Sequence, residues 1–109
     1  MAIRKIKIAV LCGGPGHENK VSMISGAAIG KAFDSELFEV KSILIDEDRN
    51  FFFHNGPPDQ ALDQSEDIEK VAIAGHLKTA YFCKNGIRLH ENSSFYPIDV
   101  IFNIVHGTL

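Results

Sequence analysis

The sequence predicts an α/β domain, and three observations carry that expectation. Lys5–Cys12 (KIKIAVLC) opens with alternation, Ile6 and Ile8 against Lys5 and Lys7, and turns continuously apolar, as a strand does on entering a sheet covered on both faces. The run breaks at Gly13-Gly14-Pro15-Gly16, and from Val21 the apolar period becomes helical. A second apolar run, Phe38–Ile45, then completes a unit of strand, glycine turn, helix and strand, whose crossover is expected to be right-handed.

The first helix is expected to start at Asn19 as N-cap and to bury a stripe of Val21, Ile24, Ala28 and Ala32, flanked by Ala27 and Phe33. Gly26 and Gly30 each cost about 1 kcal/mol against Ala in an exposed helix. Four residues apart on one face, they point to close approach of the helix to a sheet. Asp46–Asn50 ends the second strand, and Phe51-Phe52-Phe53 reads as a short third one before the Asn55–Pro58 loop. Residues 59–77 admit either a short helix from a Ser65-Glu66-Asp67 cap through Ala74, stopped by Gly75, or a loop. Thr79–Cys83 and Ile87–Glu91 flank Lys84-Asn85-Gly86, a strong hairpin signal. Val100–Val105 reads as another buried strand, and the eight phenylalanines are assigned to the core. A domain rarely ends four residues past a central strand without a helix to cover it, so either this strand closes the sheet or the chain is the front part of a longer protein, and the second is the expectation.

At 109 residues the chain suits one small domain, and 45% hydrophobic with 23% charged residues excludes wholesale disorder. No apolar run has the length of a membrane span or a signal-peptide core. A net charge of −3 argues against a nucleic-acid binder. Residues 1–31 carry five basic and one acidic side chain, a skew explained by a charged strand entrance. Cys12 and Cys83 sit in no metal-spaced cluster and read as reduced thiols, Cys12 as a packed core thiol.

Two places concentrate chemistry, each after the C-terminal end of a predicted parallel strand, where open α/β sheets bind ligands. In the first, glycines let the backbone approach a ligand, and Glu18 lies at the start of a helix. Its carboxylate either complements the helix dipole, which position alone favours, or grips an ammonium group. In the second, His106-Gly107, the imidazole either caps the strand or binds an anion or handles a proton; spacing does not separate these. Ser22 and Ser25 read as helix N-terminal hydroxyls bonding backbone groups, and the other histidines as surface residues. A dinucleotide site is opposed by Asn19 in place of a third glycine, by Asp46 thirty residues past Gly16, and by Pro15, which removes an N–H.

Gly13, Gly14, Glu18, Val21, Ser22 and Ser25 fall on the pattern G-G-x-S-x-E-x-E-V-S-x-x-S, and residues 100–109 (VIFNIVHGTL) form a strand ending in H-G. In this order the two resemble the N-terminal domain of the D-alanine–D-alanine ligases of the ATP-grasp superfamily. The resemblance implies a three-layer, Rossmann-like pre-ATP-grasp domain over residues 1–109, with a mainly parallel sheet and a small β-hairpin. It implies that Glu18 holds the ammonium of the first D-alanine, that Val21 faces its methyl group, and that Ser22 supports the helix start within the substrate site. His106, with Gly107 giving access, would help position the same molecule, and Gly13 and Gly14 would shape the loop. The family reaction joins two D-alanine molecules through an acyl phosphate, with ATP and Mg2+ (or Mn2+), for peptidoglycan precursors.

Further implications are a cytoplasmic homodimer, no nucleic-acid or membrane partner, and ATP and metal ligands beyond Leu109, so that this chain alone would be inactive. Gly16 stands where the family has Ser, Asn19 where it has His or Arg, and Lys20 where it has a second acid. The competing expectations are a free-standing Rossmann-like nucleotide-binding module without catalysis and a scaffold domain whose glycine loop is purely structural.

Overall fold

The strand expected over Lys5–Cys12 is β1 (Ile6–Gly13), with Ile8 through Cys12 buried. The computed structural model describes residues 4–63 and 70–105. After β1 come α1 (Asn19–Ala32), β2 (Phe38–Ile45), β3 (Phe51–His54) and a 3-10 turn at Pro58–Ala61. There follow β4 (Leu62–Asp63), β5 (Ala72–Ile73), β6 (Lys78–Cys83), β7 (Gly86–Leu89), β8 (Phe95–Pro97) and β9 (Val100–Asn103). The α/β class stands. Seven strands form one sheet in the order β8-β7-β6-β3-β2-β1-β9, and β4 and β5 make a small antiparallel pair of their own. The sheet is mixed: β2-β1-β9 is its parallel part, and β3, β6, β7 and β8 extend it antiparallel.

The parallel part sets where a site can form. β2 runs beside β1 along its whole length, from Ile6 opposite Phe38 to Gly13 opposite Ile45. On the other side Ile8–Leu11 pair with Val100–Asn103. The C-terminal ends of all three strands therefore lie at one edge.

Alternation along β1 separates two cores. Ile8, Val10 and Cys12 face α1 and pack with Leu44, Met23, Ala27, Ala61, Leu62, Val71 and Ile104. Ala9 and Leu11 face the other way and join Ile43, Ile45, Phe53, Ala80, Ile87 and Leu89. That second face is covered by the sheet itself, which curls over. Phe53 of β3 and Tyr96 of β8 are separated by two strands, about 14 Å in a flat sheet, yet their rings lie 4.4 Å apart. The curl also buries Lys41 of β2. Its ammonium donates to Asn55 Oδ1 at 2.7 Å, pairs with Glu39 at 3.1 Å, and lies 5.5 Å from the Tyr96 ring centre.

The helix has the expected extent but presents the other face. Its buried residues are Asn19, Ser22, Met23, Gly26, Ala27 and Gly30, whereas Val21 and Ile24 are 43% and 37% exposed. At Gly26 helix and strand approach so closely that a larger side chain has no room. A Cβ on Gly26 would sit 2.7 Å from Cys12 Cβ. Gly30 instead admits the Pro58 ring, so only the first of the two glycines serves contact with the sheet.

Other expectations are revised. Residues 59–77, read as either a short helix through Ala74 or a loop, contain β4 and β5 after the 3-10 turn; Ser65, Glu66 and Asp67 lie outside the described residues. The Lys84-Asn85-Gly86 hairpin forms, with Lys84 and Asn85 as its turn, Asn85 at φ 66°, and Gly86 already paired with Cys83. The strand at Val100 is an edge strand, and Val100, Ile101 and Phe102 are 48%, 50% and 41% exposed, because β9 has a neighbour on one side only. Phe95 is likewise exposed, so the phenylalanines do not all belong to the core.

Candidate functional site at the C-terminal edge of the parallel strands

At the end of β1 the backbone enters the left-handed region, with Gly13 at φ 94° and Gly14 at φ 100°. A side chain at Gly13 would also collide with the Ile45 carbonyl of β2, so glycine is required there on two counts. The loop folds back on β2, Gly14 N–H donating to Ile45 O at 2.8 Å. Gly16, at φ 89°, leads into α1.

Asn19 was expected to cap the helix; the N-cap is Glu18, whose side chain makes no capping bond. Asn19 is turned inward instead, 4% exposed, and its amide donates to Gly14 O at 2.5 Å and Ile45 O at 2.9 Å. Glu18 itself is exposed. Ser22, fully buried, accepts from Gly13 N–H at 2.9 Å and donates to Ile104 O at 2.7 Å. Ile104 N–H in turn donates to Leu11 O at 2.8 Å.

These bonds bring the end of β1, the first turn of α1 and the chain leaving β9 to one point. Glu18 and Ser22 stand four residues apart and share a helix face. Ser22 touches the chain at Ile104, two residues before His106. His106 and Gly107 lie outside the described residues. Val21 points outward from the helix and is open to solvent.

A cavity of about 530 Å³ opens on the flank of α1 between Asn19, Lys20, Met23, the Asp46–Asp48 turn and Val71–Gly75. Glu18, Val21 and Ser22 do not line it. Asp46, the candidate ribose ligand of a dinucleotide site, spends its carboxylate on its own turn, accepting from Asp48 N–H, Asn50 N–H and the Asn50 side chain. Cys12 is buried under Gly26, and burial pushes its thiol up to about 12, so it is a core thiol. Among the described residues no group of three or more His, Cys, Asp or Glu could hold a metal ion, and no helix is long and apolar enough to cross a membrane.

Ser22 bonds backbone groups as its sequence reading has it; the inward turn of Asn19, and the reach of Ser22 to Ile104, were the parts of this site that the sequence reading missed. A signal was present: Asn19, Ser22, Gly26 and Gly30 recur at three- and four-residue spacing, marking a buried stripe that is small and polar rather than apolar.

A family model described as the N-terminus of D-ala D-ala ligase matches residues 7–109. A D-alanine–D-alanine ligase of Thermoanaerobacter sp. (strain X514) is 29% identical over 106 residues, covering 96% of this chain and 29% of that protein. The solved D-alanine-D-alanine ligase of Coxiella burnetii superposes with a TM-score of 0.76 at 25% identity, over 95% of this chain and 30% of that one. The VanG D-Ala:D-Ser ligase of Enterococcus faecalis shares the fold, with a TM-score of 0.72 at 21% identity, over 95% of this chain and 30% of that one. The chain thus spans about 30% of the length of the proteins it matches.

Proposed function

The chain belongs to the family of D-alanine–D-alanine ligase N-terminal domains, and from that premise we propose that it is the substrate-binding front part of an ATP-dependent ligase that joins two D-alanine molecules. The observation that supports this most is the Ser22 hydroxyl bridging Gly13 N–H and Ile104 O. It joins the loop that carries Glu18 to the chain that leads into His106.

In this reading the Glu18 carboxylate, exposed at the threshold of α1, takes the ammonium of the first D-alanine. Charge-assisted bonds of this kind are about twice as strong as neutral ones and fix direction as well as distance. Val21, solvent-open one residue before Ser22, offers its isopropyl group to the substrate methyl. Ser22 holds the loop and the strand end in register, and His106 helps orient the same amino acid, with Gly107 leaving room. Holding the first substrate by its ammonium leaves its carboxylate free to be activated, and such positioning supplies much of the catalysis in a joining reaction.

ATP supplies the phosphoryl group that activates that carboxylate. The resemblance assigns the ATP and Mg2+ ligands to positions beyond Leu109, in the part of its relatives' length that this chain does not span. Synthesis of the dipeptide for peptidoglycan precursors, a cytoplasmic setting and a homodimer complete the proposal.

The test is Glu18→Gln in the full-length polypeptide that carries this domain, assayed by D-alanine-dependent phosphate release. An amide keeps the shape and loses the charge, and kcat/KM for the first D-alanine is expected to fall roughly 10- to 100-fold. A near-normal rate would remove the role given to Glu18.

A further inference from the structure

We infer that Asn19 is a positioning residue: by clamping two backbone carbonyls it sets the direction in which Glu18 presents its carboxylate. The inference rests on the ligase reading of Glu18 and adds a residue whose side chain touches no substrate.

Three observations carry it. Asn19 is buried, and its amide reaches Gly14 O and Ile45 O, one acceptor in the glycine loop and the other at the end of β2. The Glu18 side chain has no capping bond of its own, and its backbone at φ −84°, ψ −4° already follows the helix. Successive helical residues point about 100° apart. With Asn19 held toward the sheet, Glu18 is turned onto the flank where Ser22, four residues on, meets Ile104. The flank opposite carries Lys20 and the Asp46–Asp48 turn.

The clamp also fixes what the glycines leave loose. Gly13, Gly14 and Gly16 all have positive φ, so the loop has little intrinsic preference for this shape. Beyond the strand ladder, Gly14 N–H and one Asn19 bond both reach Ile45 O of β2, while the second Asn19 bond holds Gly14 O of the loop to the helix. A rigid anion costs less ordering when the substrate arrives than one that must be gathered from a mobile loop.

The experiment uses Asn19→Ala and Asn19→Asp, the second keeping the size while removing the donor. In the 109-residue chain, amide hydrogen exchange at Gly13 and Gly14, whose N–H groups are bonded to Ser22 Oγ and Ile45 O, is expected to quicken about tenfold, as loss of one or two buried bonds implies. The core amides of Val10 and Ile43 should keep their wild-type rates, whereas general destabilisation would move both sets together. In the full-length polypeptide the KM for the first D-alanine should rise about tenfold, with kcat at saturation and the KM for ATP unchanged. Wild-type loop exchange, or quickened exchange with an unchanged KM, overturns the inference. Loss of activity in Glu18→Gln alongside a wild-type Asn19→Asp sinks Asn19 alone, while an unaffected Glu18→Gln sinks the ligase reading itself.

Discussion

Ser22→Ala removes the hydroxyl on which the candidate site is hung. Ser22 is fully buried, so neither of its backbone partners has water waiting as a substitute. Alanine leaves Gly13 N–H and Ile104 O unpaired, and each orphaned buried polar group costs about 1–3 kcal/mol. The better helix propensity of alanine offsets about 0.5 kcal/mol of that. The net expectation is a loss of about 1.5–5.5 kcal/mol, a large share of the ~5–15 kcal/mol that holds a domain together. In urea the unfolding midpoint should drop with the slope m unchanged, since the surface exposed on unfolding is the same. For a chain of this size the melting temperature should fall by roughly 4 °C or more per kcal/mol. A loss under about 0.5 kcal/mol, the size of an ordinary surface substitution, would refute the bridge.

Gly26→Ala pits a propensity gain of about 1 kcal/mol against overpacking of about 1–3 kcal/mol. Because the new methyl would meet Cys12 Cβ at 2.7 Å, at the root of a side chain on β1, the protein should lose stability; a raised denaturation midpoint would contradict the close packing. Cys12 predicts an alkaline weakness. Its thiol stays protonated in the fold up to about 12, against 9.0 ordinarily, so above pH 9 the unfolded state binds fewer protons. Stability should then fall by up to about 1.4 kcal/mol per pH unit until pH 12, and Cys12→Ala should flatten that limb in pH-resolved urea melts. Asp99 predicts the opposite limb. The Lys7 N–H and then the Arg4 guanidinium, both at 2.8 Å, hold its carboxyl below the usual range. The stabilisation is present above that range and is lost as acid protonates the folded form, so Asp99→Asn should show a shallower fall in stability below about pH 4.

How legible the molecule was depended on whether a pattern is local. β1, β2, β3 and the β6–β7 hairpin follow from runs of apolar residues and from turn residues, and each lies within two residues of its expected place. The loop at Gly13–Gly16 was legible for the same reason, since positive φ is a property of a short stretch of backbone. The buried face of α1 was not, because small side chains are apolar signals only when something lies against them, and Cys12 is fourteen residues from Gly26. Lys41 was equally hidden: alternation puts Glu39 on its face, but nothing in FEVKSILI shows that Asn55 and Tyr96 will gather round its ammonium.

For the candidate site, residue types and spacing determined by themselves that a carboxylate follows a glycine turn and that a histidine follows a later strand. The tertiary structure decided that β9 lies directly beside β1, that its end is bonded through Ile104 to both β1 and α1, and that Asn19 faces inward while Glu18 faces out. The physical reason is range. Backbone torsions and periodicity act over a few residues and are written in order along the chain, whereas a buried hydroxyl chooses its partners from whatever folding brings within 3 Å, here residues nine and eighty-two positions apart from Ser22.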